Sequence, residues 1–142
     1  MYNAIDVANY IILYCKKQGY SISNLKLQKL LYFVQAQFLV SCNKPCFNAD
    51  IEAWDFGPVV PDVYHNFKYW GSSDIPDIFA EGAEKKIKIC DQKIIDAVLS
   101  GCASYSAAYL VELTHDQSPW KKAYNGMRNQ IISLDSIKEY FS

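Results

Sequence analysis

Residues 24–40 constrain the fold of this chain more than any other stretch. Leu27, Leu30, Leu31, Val34 and Phe38 recur at helical spacing and define one apolar face. Phe33 and Val40 lie on a second side of the same helix, and Tyr32 and Leu39 on a third. A helix that is apolar on several sides has to be enclosed by other elements, so 24–40 is predicted as the central helix of the molecule. Ser23 precedes it as N-cap, because a Ser oxygen can accept an orphan backbone N–H of the first turn.

The surrounding sequence supplies helices to enclose it. Asn3 caps a predicted helix from Ala4 to Gln18, whose stripe of Ala4, Ala8, Ile11, Ile12 and Cys15 faces inward. Further helices are predicted over 61–70, from Asp91 to about Ala103, over 107–113, from Ser118 to Tyr124, and at the C-terminus to Phe141. Segments 51–55, 86–89 and 130–132 read as short extended pieces, and 74–85 as a solvated loop. The expected fold is a mainly α single domain over 1–142, with at most a small two- or three-stranded sheet.

Between two of these helices stands an unusual cluster: Trp54, Phe56, Gly57, Pro58, Val59, Val60 and Pro61. Gly57 permits backbone angles that other residues resist, and Pro58 fixes the next φ while withdrawing an N–H. The expectation is a rigid corner directly after an extended segment. Pro61 suits the first turn of the helix that follows, which carries Asp62 and Tyr64.

Leu27-Gln28-Lys29-Leu30-Leu31-Tyr32-Phe33, followed by Glu52-Ala53-Trp54-x-x-Gly57-Pro58-Val59 and then Tyr64, resembles the Panacea domain, also called the SocA-like antitoxin domain. Thr114-His115-x-x-x-Pro119-Trp120 resembles the C-terminal signature of that family. The resemblance runs from about Ala4 to Phe141. It implies an antitoxin from a bacterial or phage toxin–antitoxin pair, which neutralises a cognate toxin encoded by an adjacent gene. Two modes occur in the family: direct contact, and an adaptor role in which the toxin is handed to a protease complex. The partner-binding or motif residues it points to are Trp54, Phe56, Gly57, Pro58, Asp62, Tyr64, His115 and Trp120.

Composition narrows the alternatives. The net charge is −1, and Arg128 is the only Arg among 14 basic residues. Arg is the preferred residue for phosphate and guanine contacts, so nucleic-acid binding by this chain alone is not expected. No apolar run approaches a membrane span and no signal-peptide pattern is present, so a cytoplasmic location with reduced thiols is expected. Aromatic content of 15% fits a ring-packed core, with some of the eleven Tyr available for contact surfaces.

Catalytic and metal signatures are weak. Cys42 and Cys46, with His65 and His115, fall short of the two tight ligand pairs of a zinc site, so no metal or cofactor is expected. No serine-hydrolase elbow, P-loop or dinucleotide fingerprint occurs, and no motif selects one Cys as a nucleophile. The expectation is a binding protein and not an enzyme. The rival readings are a phage- or prophage-encoded protein that targets another host factor, and a ligand pocket or enzyme site around Trp54, Tyr64, His115 and Trp120. His115 itself has two open roles, satisfying carbonyls at a helix break or lining a cleft with Trp54 and Trp120. Lys26 and Lys29, with Lys16 and Lys17, read as solvated helix edges.

Overall fold

A computed structural model describes residues 1–142 and gives seven α-helices with one two-stranded antiparallel sheet. The order is α1 (Ala4–Gln18), α2 (Asn24–Cys42), β1 (Glu52–Trp54), β2 (Gly57–Val59), α3 (Pro61–Phe67), α4 (Ile89–Cys102), α5 (Ala107–His115), α6 (Ser118–Ala123) and α7 (Leu134–Phe141). Short 3-10 turns follow α3 and precede α4. No single helix is long and apolar enough to cross a membrane.

Helix α2 is central, as its multi-sided apolar pattern requires. Ser23 Oγ accepts from the Lys26 N–H, and the helix ends at Asn43 in the left-handed region, slightly beyond the predicted Val40. Helices α1, α3, α4, α5 and α7, together with β2, all pack on it. Leu27, Leu30, Leu31, Tyr32 and Val34 are fully buried in one continuous core with the inner stripe of α1 and with Ile95 and Leu99 of α4. Polar side chains of α2 tie down its surroundings. The Gln35 Oε1 accepts from the N–H groups of Cys46 and Phe47, and the Tyr32 hydroxyl donates to Gln117 Oε1 at 2.8 Å, within the break between α5 and α6.

The sheet departs from expectation in one place. Segment 86–89 is not a strand: a 3-10 turn covers Ala83–Lys86, and α4 begins at Ile89, whose side chain is exposed. The reason is that β1 has no edge left for it. β1 pairs with β2 on one side, and on the other the Ala53 N–H bonds to the Gln130 carbonyl and the Ile132 N–H to the Ile51 carbonyl. The expected third strand at 130–132 is thus reduced to one bridge, Glu52 with Ile131. Asp91 is not the first residue of α4 as predicted. It stands in the first turn and accepts from the Tyr2 hydroxyl, while Gln92 Nε2 donates to the carbonyls of Glu84 and Ile87. Within 74–85, Ile75 and Ala80 are buried, and Asp74 accepts from the Ile22 N–H and the Lys16 ammonium. That loop is thus anchored at Ile75, Ala80 and Ala83, while Ile78 and Phe79 stay exposed.

Candidate partner-binding site

The corner at 54–58 is the turn of the β1–β2 hairpin. Trp54 stands in register with Gly57, leaving Asp55 and Phe56 as the two turn residues. A two-stranded hairpin is marginal in water by itself. Here four side chains from three helices hold it by its backbone. Trp120 Nε1 of α6 donates to the Trp54 carbonyl at 2.8 Å, and His115 Nε2 of α5 lies 2.8 Å from the Asp55 carbonyl. From α2, Lys29 Nζ donates to the Pro58 carbonyl at 2.9 Å, and Gln28 Oε1 accepts from the Val60 N–H at 2.9 Å. A carbonyl only accepts, so His115 carries its proton on Nε2.

These anchors are themselves packed. The His115 and Trp120 rings lie 4.2 Å apart, and Tyr124 stacks on Trp120 at 4.5 Å, a column running along the break between α5 and α6 and α6 itself. Tyr124 also donates its hydroxyl to Asp55 Oδ1, which raises the phenol pKa, because losing the proton would place two negative charges together. His115 thus reaches a carbonyl of the hairpin and not one at its own helix end, while its ring lies against Trp120. Replacing His115 by Ala removes one hydrogen bond and one ring contact. We expect a loss of about 1–2 kcal/mol in a denaturant melt, with the fold retained.

Lys29 corrects the reading of it as a solvated edge. Its side chain is fully buried, Lys26 is 6% exposed, and burial pushes the Lys29 ammonium down to about 7. Both lysines stand on sides of α2 that neighbouring elements cover, which leaves Lys29 no exposed surface and Lys26 little. Lys26 reaches the Ser21 carbonyl, and Lys29 reaches Pro58. Sequence patterning carried a signal for this, since a helix apolar on several sides leaves little exposed surface for its polar positions.

On the solvent side of the hairpin, Phe56 is 64% exposed at the turn. Beside it lies a cavity of about 280 Å³ lined by Trp54, Phe56, Val59, Tyr64 and Leu25, with Lys68 and Arg128 also at its wall. Tyr64 meets Trp54 edge-to-face at 4.9 Å, and the Arg128 guanidinium lies over the Trp54 ring at 4.2 Å. The predicted residues therefore divide into two groups. Trp54, Phe56 and Tyr64 line the cavity; Gly57, Pro58, His115 and Trp120 build the hairpin behind it, so the cavity is not the one expected around His115 and Trp120. Asp62 is exposed in the first turn of α3 and lies outside the cavity wall. Arg128 and Tyr124 were missed. Arg128 drew attention only as the single Arg, and Tyr124 only as a helix end, although its spacing of four from Trp120 is the helical stacking interval.

Elsewhere the chemistry is quiet. No three His, Cys, Asp or Glu side chains lie close enough together to hold a metal ion. Burial raises the Cys15 thiol to about 11 and those of Cys46 and Cys102 to about 12, which keeps all three protonated near neutrality.

Over residues 27–121 the chain matches the family described as Antitoxin SocA-like, Panacea domain. That span includes the hairpin and its four anchors but stops before Tyr124 and Arg128. The chain is also similar to Antitoxin SocA of Caulobacter vibrioides (strain NA1000 / CB15N), being 37% identical over 138 residues that span 87% of this chain and 71% of that protein. No solved structure matches it.

Proposed function

The chain belongs to the SocA-like, Panacea-domain antitoxins, and from that premise we propose that it binds and neutralises a cognate toxin, encoded by an adjacent gene, through the face formed by the hairpin turn and α3. The observation that carries the choice of face is the anchored hairpin. A short turn with a largely exposed Phe56 is held by side chains from three separate helices. Ordering such a turn when a partner arrives would otherwise cost free energy, and the anchors meet that cost during folding. An exposed Phe56 next to a partly apolar, aromatic-lined cavity is the composition expected of an interface centre. The role is one of binding, with Asp62 and Tyr64 extending the contact along α3.

Co-expression tests this. The adjacent gene is expected to arrest growth alone and to be tolerated with this chain. Phe56→Ser is expected to lose most of that rescue, since the residue is exposed and its loss leaves the core intact. Asp62→Lys and Tyr64→Ala should weaken it. A harmless neighbour, or one still toxic beside soluble folded protein, would refute the antitoxin role. Full rescue by all three folded variants would refute the face. Toxin abundance in the same cells separates simple blocking from delivery to a protease, because only delivery lowers it.

A further inference from the structure

The cavity beside Phe56 has features that describe what fills it. Its volume of about 280 Å³ is at or below the roughly 300–1,000 Å³ of small-molecule sites, and matches a large side chain better than a nucleotide or cofactor. Its polar floor is already satisfied internally. Gln28 Nε2 donates to Asn24 Oδ1, Gln28 Oε1 accepts from Val60, and Asn24 Nδ2 donates to the Tyr64 carbonyl. An apolar occupant therefore leaves no buried polar group of the floor unpaired.

The charges at the wall are not satisfied. The only ion pair in the chain is Lys16 with Asp74, so neither Arg128 nor Lys68 has a carboxylate partner. The Arg128 guanidinium makes no hydrogen bond within the chain, yet it is positioned by stacking on Trp54. A guanidinium seated over a ring in this way has a fork of free N–H donors suited to a carboxylate. Asp55, the acidic residue at the wall, is already engaged by the Tyr124 hydroxyl.

We propose that this cavity is the receptor for a short acidic–hydrophobic segment of a partner protein: one aromatic or large aliphatic side chain seated against Trp54, Tyr64 and Phe56, with a carboxylate one or two residues away bound by Arg128 and supported by Lys68. The partner's identity as a toxin rests on the preceding reading; the chemistry of the segment rests on the cavity alone.

The test uses the full chain, immobilised and panned against a random dodecapeptide display library, with the strongest enriched sequence then synthesised. Enriched peptides are expected to carry Asp or Glu within two positions of Phe, Trp, Tyr, Leu, Ile or Met. Arg128→Ala should weaken the synthetic peptide about tenfold, and Arg128→Lys less, since an ammonium lacks the fork. Both variants change one exposed residue, and a thermal melt equal to that of the parent protein verifies that each is folded. Enrichment of basic peptides, no enrichment, affinity indifferent to Arg128, or displacement of the peptide by a single-stranded oligonucleotide would each overturn the proposal. The two readings fail separately. Rescue of toxicity that is unaffected by Arg128→Ala removes this inference and leaves the antitoxin role, whereas Arg128-dependent peptide binding without rescue does the opposite.

Discussion

Gly57→Ala is expected to destabilise the protein by about 2–6 kcal/mol and to abolish partner binding with it. Two independent costs add at this position. Gly57 has φ +102°, where an L side chain is strained, and strain of that kind costs about 1–3 kcal/mol. A Cβ there would also stand 2.8 Å from Lys29 Cε and 2.8 Å from Thr114 Oγ1. Neither neighbour can move freely. Thr114 is buried, with its hydroxyl donating to the Leu110 carbonyl, and the Lys29 stem is confined in the core. Overpacking a filled site costs about another 1–3 kcal/mol. A urea melt measures the sum, and an unchanged midpoint would show that the hairpin does not lie on α2 and α5 as described. The control is Gly126→Ala: this glycine also has positive φ, but nothing within 4 Å, so only the strain term should appear.

The Gly57 contact explains why separate sequence segments act together. Gln28 and Lys29, the Trp54–Pro58 corner, and Thr114, His115 and Trp120 are far apart in the chain, yet every one touches the same few backbone groups. Removing any one of them leaves a hairpin group without its partner or a gap behind it. The motif is therefore a description of how a two-residue turn is held at the surface. No anchor depends on the Phe56 ring, so the turn is held without it.

Much of this was legible in the sequence, and what was not has definite causes. The central position of α2 followed from apolar residues on several of its sides, and the rigid corner from Gly57 and Pro58. The meeting of Trp54 with Trp120 stood in the sequence only as one of two open readings of His115, because nothing local in residues 54 and 120 encodes that the α5–α6 break folds back over the hairpin. The alternation of Lys86-Ile87-Lys88-Ile89 suggested a strand, but four residues of period two cannot pair without an open edge, and 130–132 occupies it. Lys29 misled for another reason. A lysine is read as solvated because burying its charge is costly, and here that cost appears as an amine pKa pushed down to about 7.

That resolution leads to the second large effect. Between pH 7 and pH 10 the native protein is expected to gain on the order of 3 kcal/mol in stability relative to Lys29→Met. The Lys29 amine is depressed to about 7 by burial alone, whereas in the unfolded chain it titrates at roughly 10.4. Between these values the unfolded state binds more protons than the folded one, so stability rises with pH; the contribution is complete above the unfolded pKa and is lost as pH falls through 7. No carboxylate offsets the charge: burial is the one cause of the shift, and the amine's hydrogen bond goes to the Pro58 carbonyl. Other groups titrate in the same window, notably the buried thiols of Cys15, Cys46 and Cys102, whose raised pKa values act in the opposite direction. They are common to both proteins, so the difference between the two pH profiles isolates Lys29. Met fills a similar volume without the amine, at the expense of leaving the Pro58 carbonyl unpaired, which offsets the profile by a constant but does not tilt it. The measurement is urea unfolding of both proteins at half-unit pH intervals, joined to a 13C NMR titration of the Lys29 Cε. Parallel profiles, or a Cε resonance that titrates above pH 10, would mean that the amine reaches water and that the hairpin is not locked from beneath. A tilt of the expected size, with Cε titrating near 7, would mean that acidification charges the amine under the turn and loosens the hairpin from the α2 side.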